Sequence, residues 1–201
     1  EVDAFKTKHD VKTTPQTFIG EEHIGGFDDL SAHLGKATKS KDSMTYKPII
    51  ALFSVAFLMA TTITWVTLGT TFTARTMEWF ISISMVLLGL QKLQDVERFA
   101  TMFLNYDLLA QRWVRYGYVY PFVETGAGLL MMAGVLTQLS APAALFVASI
   151  GAISVFKAVY IDKRELKCAC VGGDSKVPLG FVSLTENLMM IGMGIWMLSK
   201  L

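Results

Sequence analysis

Residues 48–72 read PIIALFSVAFLMATTITWVTLGTTF, a run without one charged side chain. A helix rises 1.5 Å per residue, so about 20 apolar positions cross the hydrocarbon core of a bilayer. This run alone is long enough. Pro48 stands at its start, where a helix has no use for the N–H that proline lacks. Working outward, further apolar runs recur from Glu78 to Leu93, from Gly117 to Leu139, from Pro142 to about Tyr160 and from Pro178 to Leu198. Ser140 and Pro142 offer an N-cap and a first-turn proline to the fourth of these. The pattern predicts an all-α polytopic membrane helix bundle with about five transmembrane helices, preceded by a small N-terminal α+β segment.

Composition agrees. The chain has 201 residues, 52% hydrophobic and 17% charged, where soluble domains carry about 25% charge. A net charge of +1 gives no reason to expect a nucleic-acid partner; the partner implied is the lipid bilayer. No basic-then-apolar signal pattern opens the polar head. The final Ser199-Lys200-Leu201 matches a peroxisomal address, but on a short tail after an apolar run it reads as coincidence.

Charges collect in the head and in two later stretches. Residues 94–116 hold Asp95, Glu97, Arg98, Asp107, Arg112 and Arg115, with Phe99, Met102, Phe103, Tyr106 and Leu109 at helical spacing. That pattern suits a helix lying along the membrane surface. The second stretch is a polar loop, Ile161 to Val177. With the head inside, Lys36, Lys39, Lys41, Lys47, Lys92, Arg98, Arg112, Arg115, Lys163, Arg164, Lys167 and Lys176 all fall on the cytoplasmic face, against Arg75 and Lys200 outside. This bias predicts a multi-pass cytoplasmic-membrane protein with its C-terminus outside.

In the head, Gln16 to Ile19 reads as a strand, Gly20-Glu21 as a tight turn, and the residues up to Gly25-Gly26 as a second strand. Asp28 is placed to cap a helix running through Leu34 and ended by Gly35. Thr13-Thr14-Pro15, Gly25-Gly26 and Phe27-Asp28-Asp29 resemble the C-terminal half of a glutaredoxin. The resemblance implies that Thr14, Pro15, Gly25, Gly26, Phe27 and Asp28 line a glutathione site, with a cis Pro15 and the Gly-Gly turn on the γ-glutamyl end. It divides the chain into a partial glutaredoxin-like segment at 1–36, a linker at 37–47 and a membrane domain at 48–201. The family's redox cysteine motif has no counterpart here before Cys168. About 35 residues bury too little surface to stand alone, so the expectation is that the missing half lies upstream of Glu1.

The membrane part carries a second resemblance. Gly89-Leu90-Gln91-Lys92-Leu93 and Pro121-Phe122-Val123-Glu124 resemble the DoxX-like superfamily. Cys168-Ala169-Cys170-Val171-Gly172-Gly173, Val177-Pro178-Leu179-Gly180 and Ser183-Leu184-Thr185-Glu186-Asn187 are similar to its MauE branch. The branch implies a four-helix core made of spans two to five, and a role in maturing a disulfide-rich enzyme for methylamine utilisation.

Cys168 and Cys170 are the only cysteines, on a glycine-bearing loop expected to face the cytoplasm. There a close thiol pair is catalytic, redox-sensing or metal-binding more often than structural. One intervening residue makes a strained and easily reduced disulfide, and Lys163, Arg164, Lys167 and Lys176 favour the thiolate. Thiol–disulfide exchange between glutathione, the glutaredoxin-like segment and this pair is the leading expectation. Cys170 is then the candidate to resolve a mixed disulfide formed at Cys168. Two thiolates also suit Cu(I) or Zn, so a transporter or metal-delivery protein stays open, as does a non-catalytic maturation scaffold. Glu124, Lys157 and Glu186 are ionisable residues inside spans, expected to converge beneath the cysteine loop as a proton or anion site or as a helix-locking ion pair. Met131, Met132, Met189, Met190, Met193 and Met197 read as packing. Gly126, Gly128 and Gly134 read as points of close helix contact, and His9, His23 and His33 carry no metal-like spacing.

Overall fold

The computed structural model describes residues 16–20, 22–25, 30, 33–34, 46–164, 166, 168 and 177–201. The chain divides into two units, Glu1–Ser43 and Met44–Leu201.

In the first unit, strands β1 (Thr17–Ile19) and β2 (Glu22–Gly25) pair antiparallel with Phe18 opposite His23 and Ile19 opposite Glu22. This is the hairpin expected from the sequence. Gly20 takes a φ of +63°, the left-handed value a tight hairpin turn asks of glycine. Phe18 stacks on the His23 ring at 4.7 Å, and His23 Nε2 lies 2.8 Å from Gln16 Oε1. The Leu34 N–H donates to the Leu30 carbonyl. Of the residues proposed for glutathione, Gly25 is buried in β2, while Thr14, Pro15, Gly26, Phe27 and Asp28 lie outside the described residues.

The second unit is helical. Its elements are α1 (Lys47–Leu68), α2 (Ala74–Leu93), α3 (Val96–Phe103), α4 (Leu108–Arg112), α5 (Val114–Ala133), α6 (Thr137–Phe156) and α7 (Phe181–Leu198). A π-helical turn, Lys157–Ile161, extends α6. The five apolar runs thus become the five long helices α1, α2, α5, α6 and α7. Among the described residues, three segments are long and apolar enough to cross a membrane: Lys47–Leu68, Thr137–Ile161 and Phe181–Leu198. The other two, α2 and α5, match them in length at 20 residues each but carry Lys92 and Glu124 inside the bundle.

Ends fall where local chemistry puts them. Gly69, at a φ of +69°, stops α1 four residues before the expected Phe72. Thr73 and Thr76 exchange side-chain and backbone hydrogen bonds in a capping box, so α2 begins at Ala74 and not at Glu78. Gly134, also left-handed, ends α5 before the expected Leu139. The fourth helix therefore starts at Thr137, and Pro142 sits inside it rather than in its first turn. The stretch 94–116 is two helices, broken before Asp107, which caps α4 by accepting from the Leu109 and Ala110 N–H groups. Its apolar side does not face lipid. Phe99 and Phe103 are buried against Tyr116 and Tyr120 of α5, with ring centroids 4.8–6.1 Å apart.

Helices α2, α5, α6 and α7 form the core: α2 packs on α5, α5 on α6 and α6 on α7. The first helix packs on α2 through Ile49, Leu52, Ala56, Ala60 and Thr64, a single stripe with helical spacing. Ile50, Leu58, Trp65 and Val66 on its other faces are exposed, as a lipid-facing helix requires. Close approach in the core depends on glycine at Gly128, where an added Cβ would lie 3.0 Å from Met85 Cβ and 3.1 Å from the Ser82 carbonyl of α2. Gly126 meets nothing within 4 Å, and Gly134 serves as a helix cap, so of the three glycines expected at contacts only Gly128 joins two helices.

Candidate functional site

The centre of the core is polar. Lys92 leaves the last turn of α2, Glu124 comes from the middle of α5 and Glu186 from the second turn of α7. Lys92 Nζ lies 2.7 and 2.6 Å from the two Glu124 oxygens and 2.8 Å from Glu186 Oε1. An ammonium has three N–H groups, and here they match three carboxylate oxygens on two helices. The three residues are 2%, 0% and 5% exposed. Lys92 Nζ also lies 5.3 Å from the centroid of the Tyr120 ring, which is one turn before Glu124 on α5.

Of the three ionisable residues expected to converge, Glu124 and Glu186 do so and Lys157 does not. Lys157 is half-exposed and pairs with Asp162 at 3.1 Å. The buried side of this helix runs through Gly151, Ala152, Ser154, Val155 and Ala158, which turns position 157 outward. Lys92 takes its place. In the sequence Lys92 was assigned to a cytoplasmic edge, because it stands at the end of a span beside polar residues. The available signal was stoichiometric: two intramembrane carboxylates need a cation, and Lys92 is the only charged residue of α2 after Glu78.

Above the triad sits Cys168. Its N–H donates to the Val177 carbonyl and the Leu179 N–H donates to the Leu166 carbonyl, a short ladder that ties the two ends of the polar loop together. The Cys168 side chain is wholly buried, and its Sγ lies 3.0 Å from Ser183 Oγ in the first turn of α7. Cys170 lies outside the described residues.

Ser183, Glu186 and Asn187 share one face of α7, at spacings of three and four residues. Asn187 donates from Nδ2 to the Ser183 carbonyl at 2.7 Å. It lies against Gly151 of α6, where an added Cβ would be 2.5 Å from its Oδ1. Ser183, Glu186 and Lys92 line one internal cavity of about 10 Å³, walled by Phe99, Phe103 and Tyr120. That volume holds about one water molecule. The arrangement is thus a thiol against a hydroxyl, and that hydroxyl shares a cavity with Lys92 and Glu186 of the triad, walled partly by aromatic rings.

The opposite end of the bundle carries a different cluster. Glu78 accepts from Arg75 at 2.9 Å, from Trp196 Nε1 at 2.8 Å and from Lys200. Trp79 Nε1 donates to the Met132 carbonyl at 3.2 Å. These bonds clamp the start of α2 to the ends of α7 and α5. The two polar connections meet at the triad's end of the bundle, where Arg164 donates to the Asn105 carbonyl at 2.7 Å.

Neither a curated protein nor a solved structure matches this chain. A family model does: that of the methylamine utilisation protein MauE, over residues 69–200. The matched span contains α2 to α7, the triad, Ser183 and both cysteines, and it does not reach the hairpin unit. On this match, which covers most of its length, the chain belongs to the MauE family of membrane proteins.

Proposed function

We propose that this protein is a membrane-bound thiol-redox protein, in which Cys168 and Cys170 exchange with glutathione or a protein disulfide. Thr14, Pro15, Gly25, Gly26, Phe27 and Asp28 are the residues that would hold glutathione; the family's description points to methylamine utilisation, and maturation of a disulfide-bearing partner enzyme is the use we propose there. The observation that carries this reading is the setting of Cys168: its sulfur is 3.0 Å from a serine hydroxyl on the helix that also bears Glu186 of the buried triad. A merely space-filling cysteine has no need of a polar partner. The distribution of lysine and arginine supports a cytoplasmic membrane as its site, with the head and the cysteine loop on the cytoplasmic face.

In this conformation Cys168 is closed to solvent, so exchange requires the segment that carries it to open. The test is incubation of sealed inside-out vesicles with isotope-labelled oxidised glutathione, followed by mass spectrometry of peptides carrying residues 165–178. A labelled mixed disulfide that disappears in Cys168→Ser and Cys170→Ser double variants is the expected result. No adduct on native vesicles, with full reaction after unfolding in detergent, would refute the reading.

A further inference from the structure

We infer that the Lys92–Glu124–Glu186 triad is the proton acceptor for Cys168, reached through Ser183, and this rests on the thiol-exchange reading above. A thiol attacks a disulfide only as thiolate, so its proton must go somewhere. Cys168 is wholly buried, and the structure sets Ser183 Oγ 3.0 Å from its sulfur. That hydroxyl is both donor and acceptor. It shares with Glu186 and Lys92 a cavity of about 10 Å³, so a single water can complete the path from the hydroxyl to the Glu186 carboxylate. The triad sets two carboxyl groups against a single ammonium.

The step balances. Cys168 Sγ–H passes its proton by way of Ser183 to Glu186. The thiolate attacks one sulfur of a disulfide, such as oxidised glutathione. A new S–S bond forms at Cys168, the old one breaks, and the second sulfur leaves as a thiolate that takes the proton back from Glu186. Cys168 is oxidised to the mixed disulfide and the leaving sulfur is reduced to a thiol.

Tyr106 and Tyr120 line the same cavity, and Tyr116 is close enough to feel both Glu124 and Asp107. Helix α6 contributes only Gly151 and Val155 to the cavity, and α3 only Phe99 and Phe103. A change in the pH response of Cys168 that Glu186→Gln and Ser183→Ala share is assigned to the path between these two residues.

The experiment is alkylation of Cys168 by iodoacetamide in membranes as a function of pH, for the native protein, Glu186→Gln, Ser183→Ala and, as an exposed control, Glu97→Gln. Iodide leaves without taking a proton, so the rate reports thiolate formation. The native protein and the control should react on a plateau around neutral pH. Glu186→Gln and Ser183→Ala should lose the plateau, react roughly 100-fold more slowly at neutral pH, the lower end of general-base assistance, and climb about tenfold per pH unit. Ser183→Ala leaves the triad's own ion pairs intact, so it answers the question even where Glu186→Gln fails to fold. Unchanged profiles in both variants would overturn the relay, while glutathione adducts could still form. Shifted profiles without any glutathione adduct would uphold the relay and sink the redox reading instead.

Discussion

Replacing Lys92 by methionine tests the triad most directly. The substitution keeps the length and apolar stem of the side chain and removes only the ammonium. Three contacts of 2.6–2.8 Å go with it, leaving Glu124 and Glu186, at 0% and 5% exposure, without the cation between them. Breaking a buried pair in this way costs about 3–5 kcal/mol, because a buried charge is left uncompensated. Folded proteins are stable by only about 5–15 kcal/mol, so the loss is a large part of the total. Lys157→Met is the matched control. Its ammonium is half-exposed and bonded to one half-exposed carboxylate, a surface arrangement worth about 0–1 kcal/mol. The assay is loss of helical signal against temperature and denaturant in one fixed detergent, for both variants and the parent. A triple change, Lys92→Met with Glu124→Gln and Glu186→Gln, removes the stranded charges and should recover most of the deficit. Should Lys92→Met melt no lower than Lys157→Met, the buried cluster is not the counter-ion site described here. Failure of the triple change to recover stability would place the cost in packing and not in charge.

Glycine positions give a second comparison. Gly89→Ala would set a Cβ 2.1 Å from Thr125 Oγ1, an overpacking that should cost about 1–3 kcal/mol, while Gly126→Ala meets nothing within 4 Å and should leave stability unchanged or raise it by about 0.5–1 kcal/mol; thermal midpoints of the two separate them. At Asp107, burial raises the carboxyl above its ordinary range despite the bonds from Ala110, Ser154 and Leu109 that lower it. Folding therefore takes up a proton there: the resulting stability is fully present below the unfolded-state pKa and is lost as pH rises through the folded one. Asp107→Asn, also a good N-cap, should flatten that part of a melting-temperature profile, and a profile unchanged by it would count against the assignment. Cys168, being wholly buried, should alkylate in native membranes far more slowly than in unfolding detergent, and equal rates would mean that the sulfur is open.

How far the sequence could be read varied with the kind of evidence each part left in it. Apolar runs translate into helices almost without context, because in lipid a helix alone satisfies the backbone within one segment; all five long helices stand where the runs are. Their ends depend on single residues, and these were missed where a capping threonine (Thr73) or a left-handed glycine (Gly69, Gly134) sat inside what composition alone counts as span. The surface stretch was misread for a different reason. Amphipathic spacing shows that Phe99 and Phe103 share a face, but not whether lipid or a neighbouring helix covers it, and here Tyr116 and Tyr120 do. The site divides similarly. Glu124 and Glu186 were legible because an acid inside a span is costly anywhere. Lys92 was not, because the same lysine at a helix end can reach water by stretching outward, and only the packed neighbours show that it reaches inward.

The position of the triad within the chain bears on how the two units divide their work. The family match begins at residue 69, so α1 and the hairpin unit lie outside it. No residue of α1 lines the cavity that joins Ser183, Glu186 and Lys92, and the stripe that α1 buries lies on α2 from Ile49 to Thr64. The groups that could move a proton from Cys168 therefore come from α2, α5, α7 and the loop before α7, all within the matched span. If a disulfide reaches Cys168 by way of the hairpin unit, the proposed relay requires nothing further from that unit. Changes in the head should then alter which disulfides reach Cys168, while changes at Ser183 or Glu186 alter how fast Cys168 reacts with any of them. Rates with a small disulfide that needs no docking separate the two: head variants should leave those rates at the native value, and Ser183→Ala should lower them as much as it lowers exchange with glutathione.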